Sequence, residues 1–278
     1  MEGLRIHAHA KLNLVLRVVG RREDGYHLLQ SLICAIDLAD EIILIPQKRG
    51  IELSAPAELG PVERNLALRA AHALLPAGEP GVRIEIEKGI PAGAGLGGGS
   101  ADAAAVLAGV NELLSLGRTW EELAAIGITL GADVPFFLGP GPAWLEGIGE
   151  RVTPVAIQIP AAFLILVPPF RSPTPDVYRA FDELDLPLSP RTEPVPGPGF
   201  PNDLWPAAVH LFPELRRWRD LLARVAPGGV GMTGSGSALF APFPSRSAAA
   251  AGRRRIRPDV EGELLVASPI RSGYRIRA

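Results

Sequence analysis

The chain has 278 residues, enough for two domains of ordinary size, each burying its own core. Its 28 Lys and Arg against 30 Asp and Glu leave a net charge of −2, which gives no electrostatic footprint for nucleic acid or an anionic membrane. A single cysteine, Cys34, excludes an internal disulfide framework and fits a reducing compartment.

Met1 leads straight into a strand pattern without a charged-then-apolar leader, and no apolar stretch is long enough to span a bilayer. A soluble, cytoplasmic chain is therefore expected. Lysine occurs only at Lys11, Lys48 and Lys88, Arg carrying nearly all other positive charge, so each lysine draws attention. Leu4, Ile6, Ala8, Ala10, Leu12, Leu14, Leu16 and Val18 take every second position, with Arg5, His7, His9, Lys11, Asn13 and Arg17 between them. That alternation predicts a half-buried strand, bulged or not, with Lys11 and Asn13 side by side on its polar face. A plain solvated face would explain the same pattern.

Gly20 to Gly25 reads as a turn, and Tyr26 and His27 open a second apolar segment toward Leu38. Further strands are expected at Ile42 to Ile45 and Ile51 to Ser54. Asn65 is placed to cap a helix through Leu75, with Leu66, Ala70, Ala73 and Leu74 on one face. Val82, Ile84 and Ile86 alternate with charged residues and deliver the chain to its most distinctive stretch, PAGAGLGGGSADAAA at 91–105.

Glycines in series let backbone amides approach a ligand without Cβ interference. Ser100 fits an N-cap, and the apolar run from Ala101 to Leu114 reads as the helix it starts. A glycine loop feeding a helix start is an anion cradle, because unpaired amides and the helix dipole both favour negative charge. We read it as a triphosphate site. Walker A fails, since Gly99 is followed by Ser100 and Ala101 instead of Lys and Ser or Thr. Gly93, Gly95 and Gly98 have dinucleotide-fingerprint spacing, but no acidic residue ends a strand about 20 residues on. A flexible loop before a buried helix is the structural alternative.

Beyond the loop, Thr119 and Glu122 form a capping-box pattern for a short helix to Ile126. Asp133 fits an N-cap with Pro135 in the first turn, which would account for the aspartate without any catalytic role. Ala143 to Val155 reads as strand, and a domain change is expected near Pro154. In the second half we expect a strand at Phe163 to Val167, an irregular proline-rich loop over 189–201, and a helix over Leu211 to Val225. A second glycine turn at 228–236, a helix from Ser247 and a last strand at Glu263 to Ala267 complete an α+β domain. Arg253, Arg254 and Arg255 read as a solvated helix face. No internal repeat is visible.

Three motifs carry a resemblance to the GHMP small-molecule kinases: AHAKLNLVLRVVGRREDGYH at 8–27, PAGAGLGGGSADAAA at 91–105 and GMTGSGSALF at 231–240. LGADVPFF at 130–137 and PTPDVY at 173–178 narrow it to the branch whose substrate is 4-diphosphocytidyl-2-C-methyl-D-erythritol. The stretch from 184 to 201 matches no pattern. The resemblance implies an α+β, two-domain GHMP kinase fold. Residues 1–153 would form an ATP-binding domain like the second domain of ribosomal protein S5, and residues 154–278 a ferredoxin-like domain, with the active site between them.

It further implies ATP-dependent phosphorylation of the substrate's 2-hydroxyl, in the non-mevalonate isoprenoid route. Asp133 would be the base and Lys11 its charged neighbour, while Asn13, Tyr26, His27, Thr174 and Tyr178 would surround the cytidyl substrate. Where a relative has phenylalanine this chain has Tyr178, so stacking should survive but the hydroxyl needs a partner. The nucleotide would be held by Pro91, Ala92, Gly93, Ala94, Gly95, Leu96, Gly97, Gly98, Gly99, Ser100 and Ala101, with Asn65 and Lys88 bordering its base. The motif singles out no metal carboxylate, so Mg²⁺ is expected with ATP and its ligands stay unassigned, as does the oligomeric state. Two alternatives remain at this point. One is another GHMP kinase of homoserine or mevalonate type; the other is a non-catalytic nucleotide-binding regulator on this fold.

Overall fold

The first apolar alternation becomes strand β1 (Leu4–Arg21), which turns back antiparallel as β2 (His27–Gln47). The computed structural model describes residues 3–57, 60–75, 80–193 and 199–277. In the turn between the strands, Asp24 Oδ1 accepts the Tyr26 amide at 3.3 Å. The two segments expected after His27 are one strand. It can run that long because successive stretches of it find different edge partners along its length.

β1 departs from the half-buried strand expected: every residue from Ala8 to Leu16 is buried. Ile6 and Ala8 belong to a core under the helices, whereas Ala10, Leu12 and Leu14 belong to a core shared with the second sheet. The register shifts between His9 and Ala10, and again between Asn13 and Val15. Between His9 and Ala10 the extra residues are Asp37 and Leu38 of β2, and past this irregularity the even positions of β1 pass from the first core to the other. Lys11 and Asn13 are turned away from solvent, Lys11 toward the glycine loop and Asn13 toward Ser31 and Thr233.

Strand β3 (Ile51–Ser54) lies parallel to β4 (Gly81–Glu87), whose Val82, Ile84 and Ile86 point inward. Helix α1 (Leu66–Leu74) is capped by Asn65, whose side chain accepts the Ala67 amide at 2.9 Å. Its buried face is Ala67, Ala70, Ala71 and Leu74, at i, i+3, i+4 and i+7; Ala73, expected inward, is exposed.

Helix α2 (Gly98–Leu113) buries every residue from Ala101 to Val110. A helix covered on all sides needs small apolar residues throughout, which explains the alanines. Ser100 is not its N-cap. The helix starts two residues earlier, and Gly97 holds the cap position with φ 77°.

Helix α3 (Trp120–Leu130) carries the Thr119–Glu122 capping box and runs past Ile126. Helix α4 (Val134–Leu138) follows, and the stretch expected as one strand is a hairpin of β5 (Ala143–Gly147) and β6 (Arg151–Pro154).

The second half builds another sheet from β7 (Ala162–Val167), β8 (Gly231–Met232), β9 (Leu239–Phe243) and β10 (Glu263–Ala267), in the order β10-β7-β9-β8 with antiparallel neighbours. Helix α5 (Thr174–Glu183) leaves β7, and α8 (Arg246–Ile256) joins β9 to β10, the β-α-β-β-α-β pattern of a ferredoxin-like unit. The single helix expected over Leu211 to Val225 is two, α6 (Trp205–Leu211) and α7 (Leu215–Ala223), with Pro213 at the break. Arg253, Arg254 and Arg255 are exposed in the last turn of α8. The described parts of 189–201 are irregular; 194–198 lie outside the described residues.

Glu263–Ala267 is not the last strand. β11 (Pro269–Ile270) and β12 (Tyr274–Arg277) return to the first sheet, against β2 and β1. The short irregular link after β10 hid them from pattern reading. Among the described residues the first sheet has eight strands, five in the order β12-β1-β2-β4-β3, with β11 and β5 pairing β2 and β6 pairing β5. Together the two sheets make the α+β, two-domain architecture expected.

Candidate active site

A cleft of about 990 Å³ is lined from both halves of the chain. The glycine loop forms its wall. Gly93, Gly95 and Gly97 take φ of 71°, 77° and 77°, while Ala94 and Leu96 between them bury their side chains. Leu96 O accepts the Lys11 amide at 3.0 Å and Ala94 O accepts the Ala238 amide at 3.1 Å, so both sheets hold the loop. A Cβ on Gly95 would lie 2.3 Å from Thr233 O, because the second glycine turn packs directly against the first.

The Ala101 amide donates to Gly97 O at 2.9 Å, the first bond of helix type. The amides of Gly98, Gly99 and Ser100 stand at the helix start without an intrahelical partner, ready for an anion. Ala101 itself is fully buried and does not line the cleft; every other residue expected at the site does. A Cβ on Gly97 would come within 2.9 Å of Lys11 Cγ and of Phe137 Cζ. Gly97→Val is therefore expected to weaken nucleotide binding and to displace Lys11, lowering turnover as well. Titration with ATP beside single-turnover rates checks this, and wild-type values for both would refute it.

Lys11 is 3 % exposed. Its Nζ donates to Asn13 Oδ1 at 2.5 Å and to Gly95 O at 2.7 Å, leaving its third proton for the cleft, where Asp133 Oδ2 lies 3.9 Å away. Burial holds the Lys11 ammonium below its ordinary pKa, and the Asp133 charge opposes that shift. Asp133 has helical φ/ψ of −83° and −12° and makes no capping bond. The capping explanation for this aspartate therefore falls, and its carboxylate is directed at Lys11.

Asn13 is not a free contact residue. Its Oδ1 holds Lys11, and its Nδ2 donates to Ser31 Oγ at 2.8 Å. The Thr233 hydroxyl accepts the Asn13 amide at 3.1 Å and lies 3.2 Å from Asn13 Oδ1 and 3.1 Å from Gly95 O. One residue of the second glycine turn thus ties together the lysine's strand and the loop.

Lys88 lies under the helix start, paired with Asp40 and, at 3.1 Å, with Asp102 Oδ2. Asp40 Oδ1 accepts the amides of Gly89 and Ile90 at 2.8 Å each, fixing the exit of β4 into the loop. Two buried carboxylates share one ammonium, and Asp102 Oδ1 has no hydrogen-bond partner among the described residues. Burial first, and the Asp40 charge among the other causes, push the Asp102 carboxyl up to about 8, while the two carboxylates raise Lys88 despite its own burial. An acid raised in the folded state stabilises most below its ordinary value of 3.8, and that stability is lost as pH climbs toward about 8. Asp102→Asn is expected to remove this slope from melting temperatures taken between pH 5 and 9. Parallel profiles for the variant and the wild type would count against the raised Asp102 carboxyl.

At the far end, α5 presents Thr174, Tyr178 and Asp182 at four-residue spacing to the cleft. The rings of His27 and Tyr178 stack with centroids 4.8 Å apart. Tyr26 stands at the rim, 61 % exposed, and Thr174 Oγ1 is 2.8 Å from Ser235 Oγ. Burial and then the Asp133 charge push the Tyr178 phenol up, keeping it a protonated donor in the cleft. Asn65 also borders the cleft, although its side chain is occupied as the α1 cap.

Sequence reasoning missed Asp40, Asp102, Asp182 and Thr233. Asp102 had a signal, as the one acid in an alanine run. Thr233 lay inside a quoted motif without a role. Asp40 and Asp182 had none, since their partners Lys88 and His27 are distant in the chain.

Residues 65–141 match the family model described as GHMP kinases N terminal domain, and residues 202–260 the one described as GHMP kinases C terminal. A 4-diphosphocytidyl-2-C-methyl-D-erythritol kinase of Citrifermentans bemidjiense is 42 % identical over 272 residues, covering 90 % of this chain and 92 % of that protein. A crystal structure of 4-(cytidine 5'-diphospho)-2C-methyl-D-erythritol kinase, 39 % identical, matches with a TM-score of 0.80 over 95 % of this chain and 98 % of that one. Homoserine kinase from Cytophaga hutchinsonii matches with a TM-score of 0.71 over 100 % and 98 % of the two chains at 17 % identity, a likeness of fold alone.

Proposed function

The chain belongs to the GHMP kinases and, within them, to the 4-diphosphocytidyl-2-C-methyl-D-erythritol kinases, and from that premise we propose how its cleft carries out ATP-dependent phosphorylation of the 2-hydroxyl of 4-diphosphocytidyl-2-C-methyl-D-erythritol. The observation that carries the reading is the convergence of the free helix-start amides, the Lys11 ammonium and the Asp133 carboxylate on one cleft. ATP lies with its phosphates against the glycine loop, whose amides and helix dipole neutralise their charge. The substrate enters from the α5 side, its base beside the stacked His27 and Tyr178 rings and Tyr26.

Asp133 accepts the proton of the 2-hydroxyl. That oxygen bonds to the γ-phosphorus, the bond from phosphorus to the β,γ-bridging oxygen breaks, and ADP leaves. Lys11, held by Asn13 and Gly95, keeps its third N–H on the reacting oxygens. Phosphoryl transfer asks chiefly for positioning and charge neutralisation, which these residues supply.

Among the described residues no three His, Cys, Asp or Glu side chains gather to hold a metal ion. Mg²⁺ is expected with ATP, and since such an ion takes only one or two carboxylates beside the phosphate oxygens, its protein ligands stay unassigned. No helix among the described residues is long and apolar enough to cross a membrane, and we take the enzyme to act on a dissolved substrate in the cytoplasm.

Mass detection of a singly phosphorylated cytidyl product, formed with ATP and absent without it, tests the reading. Turnover of homoserine or mevalonate but not of the cytidyl alcohol would overturn the substrate assignment. Nucleotide binding without turnover of any alcohol would make the protein a regulator.

A further inference from the structure

The second glycine turn reaches further into the site than a packing contact does. Gly234 has φ 58°, and a Cβ there would lie 3.3 Å from Lys11 Nζ. Its neighbour Thr233 is fully buried, and the Thr233 hydroxyl has two acceptors in reach, Asn13 Oδ1 at 3.2 Å and Gly95 O at 3.1 Å. Those are the two oxygens that hold the Lys11 ammonium.

The direction of each hydrogen bond leaves this cradle one arrangement. Ser31 Oγ gives its proton to Val15 O at 2.7 Å, so it can only accept from Asn13 Nδ2, and Asn13 Oδ1 is turned to Lys11. The Thr233 hydroxyl accepts the Asn13 amide and has one proton for the two oxygens that Lys11 also uses. Asn202 fixes the turn from behind. Its Oδ1 accepts the Leu204 amide at 2.9 Å, so its Nδ2 faces Met232 O at 2.8 Å and Gly234 O at 2.9 Å, the carbonyls on either side of Thr233. The flanking residues are stitched to β1, where Pro201 O accepts the Leu16 amide at 2.9 Å and Leu16 O accepts the Asp203 amide at 3.0 Å.

We propose that Asn202 and Thr233 are positioning residues for Lys11, Asn202 by holding the turn and Thr233 by bracing both oxygens that aim the ammonium into the cleft. Neither side chain lines the cleft, so each acts on the reaction through Lys11. The second half of the chain thereby sets the aim of a lysine carried by the first. This rests on the reading that Lys11 takes part in phosphoryl transfer.

Kinetics and one spectrum test it. Thr233→Val keeps the shape and deletes the hydroxyl. It should lower kcat on the order of tenfold, the worth of one lost hydrogen bond. KM for ATP and for the alcohol should stay unchanged, because the loop keeps its backbone bonds to Lys11 and Ala238. Thr233→Ser should restore kcat. Asn202→Ala should lower kcat too, and the double variant should be no slower than the slower single one, since both act through one turn. The chain has lysine only at Lys11, Lys48 and Lys88, so ¹⁵N-lysine labelling isolates the Lys11 ammonium, assigned by its loss in Lys11→Met. That signal should shift in Asn202→Ala, although Asn202 hydrogen-bonds the turn and not the lysine. An unmoved signal there overturns the proposal without any rate measurement. An unchanged kcat in folded Thr233→Val sinks it as well, as do a serine variant as slow as the valine one and effects that multiply in the double variant. Equal rises in both KM values with a lowered melting temperature would mark a purely structural anchor. If Lys11→Met keeps its turnover, the reading beneath the proposal fails and the proposal falls with it.

Discussion

Asp133→Asn is expected to lower turnover by about 10²–10⁴-fold, the usual contribution of a general base, while the fold and nucleotide binding survive. The substitution is nearly isosteric and loses no cap, since the Asp133 side chain makes no capping bond at the start of α4. What it removes is the capacity to take a proton at the place where Lys11 and the glycine loop converge. The lysine, 3.9 Å away, remains held by Asn13 and Gly95 and needs no rearrangement. Steady-state rates, with ATP titrated separately and a thermal melt beside them, give the answer. Near-normal turnover in a folded variant would remove Asp133 as the base.

Lys11→Ala is expected to be as damaging to turnover, on the order of 10³-fold, and to cost stability as well. Deleting the ammonium leaves Asn13 Oδ1 and Gly95 O with only the single Thr233 hydroxyl proton between them at a buried place, so one of the two loses its donor. Each unsatisfied group costs about 1–3 kcal/mol. The partnership with Asp133 adds less, because that carboxylate is 35 % exposed and partly screened by water. Lys11→Met separates charge from volume. It should lose turnover like the alanine variant yet melt higher, since its side chain still fills the space beside Gly97 and Phe137. If Lys11→Met kept most of the turnover, the ammonium would have no part in the chemistry.

Much of this site was legible in the chain itself. Local rules set the glycine loop and the helix after it, the Asn65 cap and the Thr119 capping box, because each is decided by residues a few positions apart. The spread of family motifs named the fold. The alternation in β1 also put Lys11 and Asn13 on one side, though it could not say whether that side met water.

That last question belongs to the tertiary structure. At the register shift between His9 and Ala10 the even positions of β1 pass from one core to the other, and partners from both sheets then cover the strand on each side. Long-range pairing likewise decided which acids matter. Asp40 and Asp102 reach Lys88, and Asp182 reaches His27, across separations of 48, 14 and 155 residues that no periodicity spans. The fate of Asp133 shows the division most clearly. Its sequence neighbours allowed either a cap or a base, and only the backbone angles of the folded chain freed its carboxylate from the cap. Sequence determined which groups the chain brings to the cleft, because composition and local conformation are set by near neighbours. Tertiary structure decided which of them meet, because contacts between distant segments depend on sheet register and on packing of the two halves.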